Sequence, residues 1–147
     1  GVQTCALPIF EQNGSIFLSR SGKQVEMYAG VGKSSYYPIA VDDKTFLYTR
    51  TQSSNYDSVM LGYLNGSPSK TYFFNSKTYD CSDPFPYQDG KNFLFYVTTS
   101  PTILKAGYNL MLADLKHKQV LDLDSLYKGI NTDNEELGPF WTDHVYR

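Results

Sequence analysis

The sequence predicts an all-β protein built from repeated four-stranded antiparallel sheets. Three observations point there. Thirteen Tyr, nine Phe and one Trp in 147 residues enrich the chain in strand formers. Seven Pro and eleven Gly break it at short intervals, and no long segment keeps a helical period. A strand–turn–strand pattern also recurs with a period of roughly 40–50 residues, the scale of repeated sheets.

The chain opens on residues 1–9, GVQTCALPI, which read as the in-frame translation of a common sequencing adapter. Agreement over so many consecutive codons sets this stretch apart, and it is excluded from the fold. Cys5 goes with it, leaving Cys81 as the one cysteine of the domain, and a single cysteine closes no internal disulfide. The domain is then 10–147, expected to be a fragment truncated at both ends.

Three hairpins follow one plan. Ser15-Ile16-Phe17-Leu18-Ser19-Arg20 leads through Ser21-Gly22 into the run 24–28. Ser58-Val59-Met60-Leu61-Gly62-Tyr63-Leu64 leads through Asn65-Gly66 into 70–74, and Asn109-Leu110-Met111-Leu112-Ala113-Asp114-Leu115 leads through Lys116-His117-Lys118 into 119–123. Asn-Gly between apolar runs is a strong hairpin signal, because both residues tolerate the positive φ of the turn. Between the hairpins lies a second unit. Pro38-Ile39-Ala40-Val41-Asp42-Asp43-Lys44-Thr45-Phe46-Leu47 is echoed by Pro84-Phe85-Pro86-Tyr87-Gln88-Asp89-Gly90-Lys91-Asn92-Phe93-Leu94, and a clipped third copy begins at Gly138-Pro139-Phe140-Trp141.

Four strands per period describe the blades of a β-propeller. The expected strands are 15–20 and 23–29 as the outer half of one blade. They continue with 37–41, 45–50, 57–64 and 70–74 as a full blade, and 84–88, 92–98, 108–115 and 118–123 as a second. The inner strand of a further blade begins at 138. The repeat aligns Met60 with Met111, Leu61 with Leu112, and Phe46 with Phe93.

The residues Asp83-Pro84, Asp89-Gly90-Lys91, Phe93-Leu94-Phe95 and Gly107-Tyr108-Asn109-Leu110-Met111-Leu112-Ala113-Asp114-Leu115 resemble TolB-like β-propeller repeats, the WD-like repeats of bacterial envelope proteins. The stretch Gly129-Ile130-Asn131-Thr132-Asp133-Asn134-Glu135-Glu136-Leu137-Gly138-Pro139 is similar to an inter-blade crossover of that class. The usual Ser-Pro-Asp-Gly turn is replaced by Val41-Asp42-Asp43-Lys44 and Tyr87-Gln88-Asp89-Gly90, which keep residues suited to tight turns.

Chemistry-bearing motifs are scarce. Gly30-Val31-Gly32-Lys33-Ser34 resembles the end of a phosphate-binding loop, but Met27 stands where the first glycine is needed and Tyr36-Tyr37-Pro38 follows where a helix should start. His117 and His144 stand apart, no second cysteine joins them, and no G-x-S-x-G elbow occurs. No metal or cofactor is expected. Asp80, Asp83, Asp133, Glu135 and Glu136 do not have the spacing of an EF-hand, and are expected to cap backbone amides at the blade crossovers.

A net charge of −2 without a basic stripe argues against nucleic acid, and no stretch reaches the roughly 18 apolar residues of a membrane span. The resemblance implies a periplasmic or outer-membrane-associated module without enzymatic activity. Its partner would be a protein, or a glycan such as peptidoglycan, docked on the loop-bearing face. That face would carry the loops 30–36, 51–56, 75–83, 99–107 and 124–138, with Tyr56, Tyr79, Asp80, Asp83, Tyr108 and Tyr127 as partner contacts. The alternative is the propeller of a larger serine peptidase or carbohydrate lyase, its catalytic part lying elsewhere.

Overall fold

A computed structural model of the chain describes residues 9–20, 23–28, 34–52, 56–73, 80–87, 92–98, 108–132 and 138–139. These residues form eleven strands and one short helix. The strands are β1 (Ile9–Gln12), β2 (Ser15–Arg20), β3 (Lys23–Tyr28), β4 (Ser35–Ala40), β5 (Thr45–Thr51), β6 (Asp57–Tyr63), β7 (Lys70–Phe73), β8 (Ser82–Tyr87), β9 (Phe93–Thr98), β10 (Asn109–Asp114) and β11 (Gln119–Asp122). The helix α1 (Leu123–Leu126) follows β11 directly.

Every pairing is antiparallel. The strands make three sheets, β1-β2-β3, β4-β5-β6-β7 and β8-β9-β10-β11, so sequence order is spatial order within each. This is the meander of a propeller blade, and the fold is a partial TolB-like propeller of four-stranded blades.

Two apolar layers hold the sheets face to face. Ile16 and Leu18 of the first sheet pack with Phe46, Tyr48 and Met60 of the second. Leu47 and Val59, on the opposite face of the second, pack with Leu94, Tyr96, Met111 and Ala113 of the third. Alternation along β5 and β6 sends neighbours to opposite layers, which is why both strands read as near-continuous apolar runs.

The register carries the repeat. Tyr48 lies opposite Met60, and Tyr96 opposite Met111; Leu47 faces Leu61, and Phe95 faces Leu112. Met60 and Met111 are therefore equivalent, as are Leu61 and Leu112. The expected match of Phe46 with Phe93 is off by one. Phe46 pairs Gly62 and Ala40, whereas its counterpart Leu94 pairs Ala113 and Pro86. The linker between β8 and β9 is longer than that between β4 and β5, so matching phenylalanines by identity slips the register.

Three other expectations need adjusting. The first sheet has three described strands, not two. β1 starts at Ile9, whose partner is Leu18, and Ile9 packs against the first apolar layer. Residues 1–8 lie outside the described residues. β4 and β8 each begin two residues earlier than expected, at Ser35 and Ser82. The stretch after β11 is not a plain loop, because Asp122 caps α1 through the Asp124 amide.

Candidate functional site

The inner strands of the second and third sheets share an irregularity. β4 shifts register between Tyr36 and Ile39, and β8 between Ser82 and Phe85. At the centre of each bulge stands a residue with positive φ just before a proline: Tyr37 (52°) before Pro38, and Asp83 (49°) before Pro84. Gly138, at 61°, precedes Pro139 and opens the third copy of the sequence unit. The left-handed conformation costs a non-glycine residue about 1–2 kcal/mol, so two such residues at one repeat position mark stored strain.

These three positions meet. The Gly138 amide donates to Asp83 Oδ2 at 3.1 Å. The Asp83 amide in turn donates to Thr49 Oγ1 of the preceding sheet at 3.1 Å. A Cβ on Gly138 would lie 3.1 Å from the Tyr37 hydroxyl. The start of β8 is thus pinned to a side chain of the sheet before it, and the start of β4 to the Gly14 carbonyl, which accepts the Ser35 amide at 3.0 Å.

Asp57, at the head of β6, is the second centre of this end. It is 8% exposed, and its carboxylate accepts the Tyr36 hydroxyl at 2.5 Å and the Thr51 hydroxyl at 2.8 Å. Its own amide donates to Asp80 Oδ1 at 3.2 Å, and its carbonyl accepts the Cys81 amide at 3.3 Å. The end of the crossover from β7 to β8 is therefore tied to the head of β6. The third sheet uses Asn131 for the same purpose. Its side-chain amide accepts from the Leu110 amide (2.7 Å) and donates to the Leu110 carbonyl (3.1 Å), imitating a strand partner. Asp124 gathers the Gly129 and Asn131 amides behind it.

The electrostatics follow from this crowding. Burial raises the Tyr36 phenol far above its ordinary range, helped by the hydrogen bond to Asp57 and the charges of Asp57, Tyr108 and Asp83. Burial and Asp83 also raise Tyr37. The Asp83 carboxyl is pushed up by burial; hydrogen bonds from Gly138 and Ser82 oppose the shift, and the charge of Asp57 adds to it. The end is rich in acceptors, with phenols held neutral beside carboxylates.

Of the residues singled out in the sequence, Asp80, Asp83 and Tyr108 belong to this end. Asp80 and Asp83 each accept a backbone amide at a crossover. Tyr56 is half-buried in the adjoining β5–β6 connection, where its carbonyl accepts the Gln52 amide at 2.8 Å. Tyr127 stands 67% exposed just past α1, next to the 54% exposed Leu126, so its ring is displayed rather than packed. Tyr79, Asp133, Glu135, Glu136 and His144 lie outside the described residues, as does most of 30–34. Sequence reasoning missed Tyr36, Tyr37, Asp57 and Gly138. The signal for three of the four was the residue before or near each blade-opening proline.

His117 is tied locally: its amide and ring nitrogen meet Asp114 across the β10–β11 turn, at 3.0 and 2.6 Å. Among the described residues no group of three His, Cys, Asp or Glu side chains is placed to hold a metal ion. Cys81 is buried and unbridged, and no described helix is long and apolar enough to cross a membrane.

No protein-family model matches the chain, and no curated protein matches it. Among solved structures it is similar to one described as "putative TolB from Agrobacterium tumefaciens", with a TM-score of 0.58 and 15% identity. The likeness covers 74% of this chain and 40% of the other, and at that identity it shows the fold. The matched part of this chain therefore spans 40% of the length of the protein it resembles.

Proposed function

We propose that the chain is a non-enzymatic binding module, a propeller segment of a bacterial cell-envelope protein that docks a protein or glycan partner on its loop-bearing end. The supporting observation is the meeting of Tyr36, Tyr37, Asp57, Asp83 and Gly138 where successive inner strands begin. Strain is concentrated there, and so are carboxylates that accept hydrogen bonds. Such a surface suits a partner rich in donors, such as lysine or arginine side chains or sugar hydroxyls. Tyr108 and Tyr56 beside it offer aromatic faces. The fold likeness to a TolB-like structure supports a periplasmic or outer-membrane-associated setting. Nucleic acid is disfavoured by the net charge of −2.

The alternative is the propeller of a larger hydrolase or lyase. The carboxylates at this end hold backbone amides and hydroxyls of their own chain, which is the work of structural groups. A photo-crosslinking residue placed at Tyr108, in cells carrying the protein in their envelope, tests the proposal. The expected result is one dominant adduct, lost when Asp83 is also changed to Lys. Equal labelling from Tyr108 and from Lys70 on the exposed outer strand would count against a docking end.

A further inference from the structure

The second sheet carries a cleft at the end opposite Asp57. Its volume is about 430 Å³, and it is lined by Asp43, Lys44, Thr45, Tyr63, Leu64 and Asn65. These residues come from the β4–β5 and β6–β7 connections and the strand ends they join, where Thr45 pairs with Tyr63. Hydrogen bonds fix the walls. The Leu64 amide donates to the Lys44 carbonyl at 2.8 Å and ties one connection to the other. Asp42 Oδ1 accepts the Lys44 and Thr45 amides at 2.8 and 2.7 Å, and Asn65 Oδ1 accepts the Ser67 amide at 3.0 Å. Shaping the turns thus falls to Asp42 and to one atom of Asn65. Among the described residues, nothing bonds the Asp43 carboxylate, the Lys44 ammonium, the Tyr63 hydroxyl or Asn65 Nδ2.

The third sheet supplies a comparison. It repeats the tie between connections: the Leu115 amide donates to the Asn92 carbonyl, also at 2.8 Å. The shared register makes Asp114 the counterpart of Tyr63, and Phe93 that of Thr45. Asp114 is engaged within its own turn, where it accepts the His117 amide and meets the His117 ring. The same scaffold therefore closes on itself in the third sheet. In the second it presents unused polar groups around the half-buried Tyr63. Turn stability does not call for that difference, because Asp42 and the Leu64 amide already supply it.

We propose that this cleft binds a neutral saccharide of one or two pyranose rings. Its volume falls within the range of small-ligand sites, roughly 300–1,000 Å³. Tyr63 and Leu64 give it an apolar wall suited to the C–H face of a sugar ring. Sugar hydroxyls both donate and accept, and so do the unused groups: Asp43 accepts, Lys44 and Asn65 Nδ2 donate, and the Tyr63 hydroxyl does either. One negative and one positive side chain offset each other, so no net charge is selected in the ligand. The cleft lies away from the Asp57 end and does not depend on docking there.

Titration of the 147-residue chain, followed by amide NMR shifts, tests the proposal. The probes are cellobiose, lactose, mannobiose and diacetylchitobiose, with sorbitol as an open-chain polyol and glycylglycine as a zwitterion. Each is added to about 10 mM, which nearly saturates a site with a Kd of about 1 mM. At least one disaccharide should shift the Asp43, Lys44 and Asn65 amides saturably and leave those of His117 and Lys118 unmoved. Asp43→Ala, at an exposed position that takes no part in the Asp42 cap, should weaken binding about tenfold by removing a charged acceptor. Tyr63→Asp, which copies the third sheet, should abolish the response while the β-sheet circular dichroism is kept; if that variant unfolds, Asp43→Ala decides. No response to any disaccharide would overturn the proposal. So would an equal response to sorbitol, a stronger one to glycylglycine, or undiminished binding by Asp43→Ala.

Discussion

Tyr37 and Asp83 occupy the same position of adjacent sheets, share a left-handed backbone (φ 52° and 49°), and both come within reach of Gly138. In each inner strand the bulge turns the residue before the proline away from the ladder. The opening of one blade can then bond to the next. At Asp83 the strain is accompanied by hydrogen bonds to Thr49 of the preceding sheet and from the Gly138 amide, which link the segments at the end where the crossovers gather.

This arrangement makes Gly138 hard to replace. Gly138→Ala forces an L side chain into a left-handed φ and places its Cβ against the Tyr37 hydroxyl. The expected cost is about 1–2 kcal/mol for the backbone, with more from the contact. Tyr37→Phe removes the contacting oxygen. In a denaturant-melt cycle the double variant should therefore cost less than the sum of the singles.

Asp83 should leave a mark on the pH dependence of stability. Its folded pKa is raised above the ordinary 3.8, chiefly by burial. Its contribution is fully present below that ordinary value and is lost as pH rises through the folded one. Asp83→Asn keeps an acceptor for the Gly138 amide and removes the ionisation. As pH rises from the ordinary carboxyl value through the raised folded one, the urea midpoint of the wild type should fall relative to that of the variant. Asp83→Ala, which also removes the acceptor, should cost about 1 kcal/mol.

Asp57 is the costlier loss. Asp57→Ala strands the Tyr36 and Thr51 hydroxyls. The expected destabilisation is about 2–3 kcal/mol, against about 1 kcal/mol for Tyr36→Phe, which removes only the donor. Chemical denaturation of the two variants side by side checks the ranking.

Much of this fold was legible in the sequence, and the reasons are local. Alternation and turn residues placed β2, β3, β5, β6, β7, β9, β10 and β11 within a residue or two, because each hairpin carries its own signals. Residue identity misled at Phe93, since a longer linker moved the frame and Leu94 took the equivalent place. The helix α1 was missed because its four residues are too few to show a period. The site was half legible. Asp80 and Asp83 stood out as carboxylates in crossover segments, but Asp57 lies inside a strand. Its role depends on Tyr36, two strands away, and no local pattern reports such a contact. The residues before the prolines did repeat in position, but Tyr, Asp and Gly share no chemistry. What they share is a backbone angle.

The central claim is that successive sheets are one blade design in one register, and the pair Gly62–Phe46 tests it most directly. A Cβ on Gly62 would lie 2.2 Å from the Phe46 ring, while the third sheet seats Ala113 opposite Leu94 at the equivalent place. Gly62→Ala should cost about 1–3 kcal/mol through overpacking. Adding Phe46→Leu recreates the pair of the third sheet, so the double variant should regain most of the stability lost in Gly62→Ala, as read from urea melts of all four chains. Additive or worse losses in the double variant would contradict the shared register.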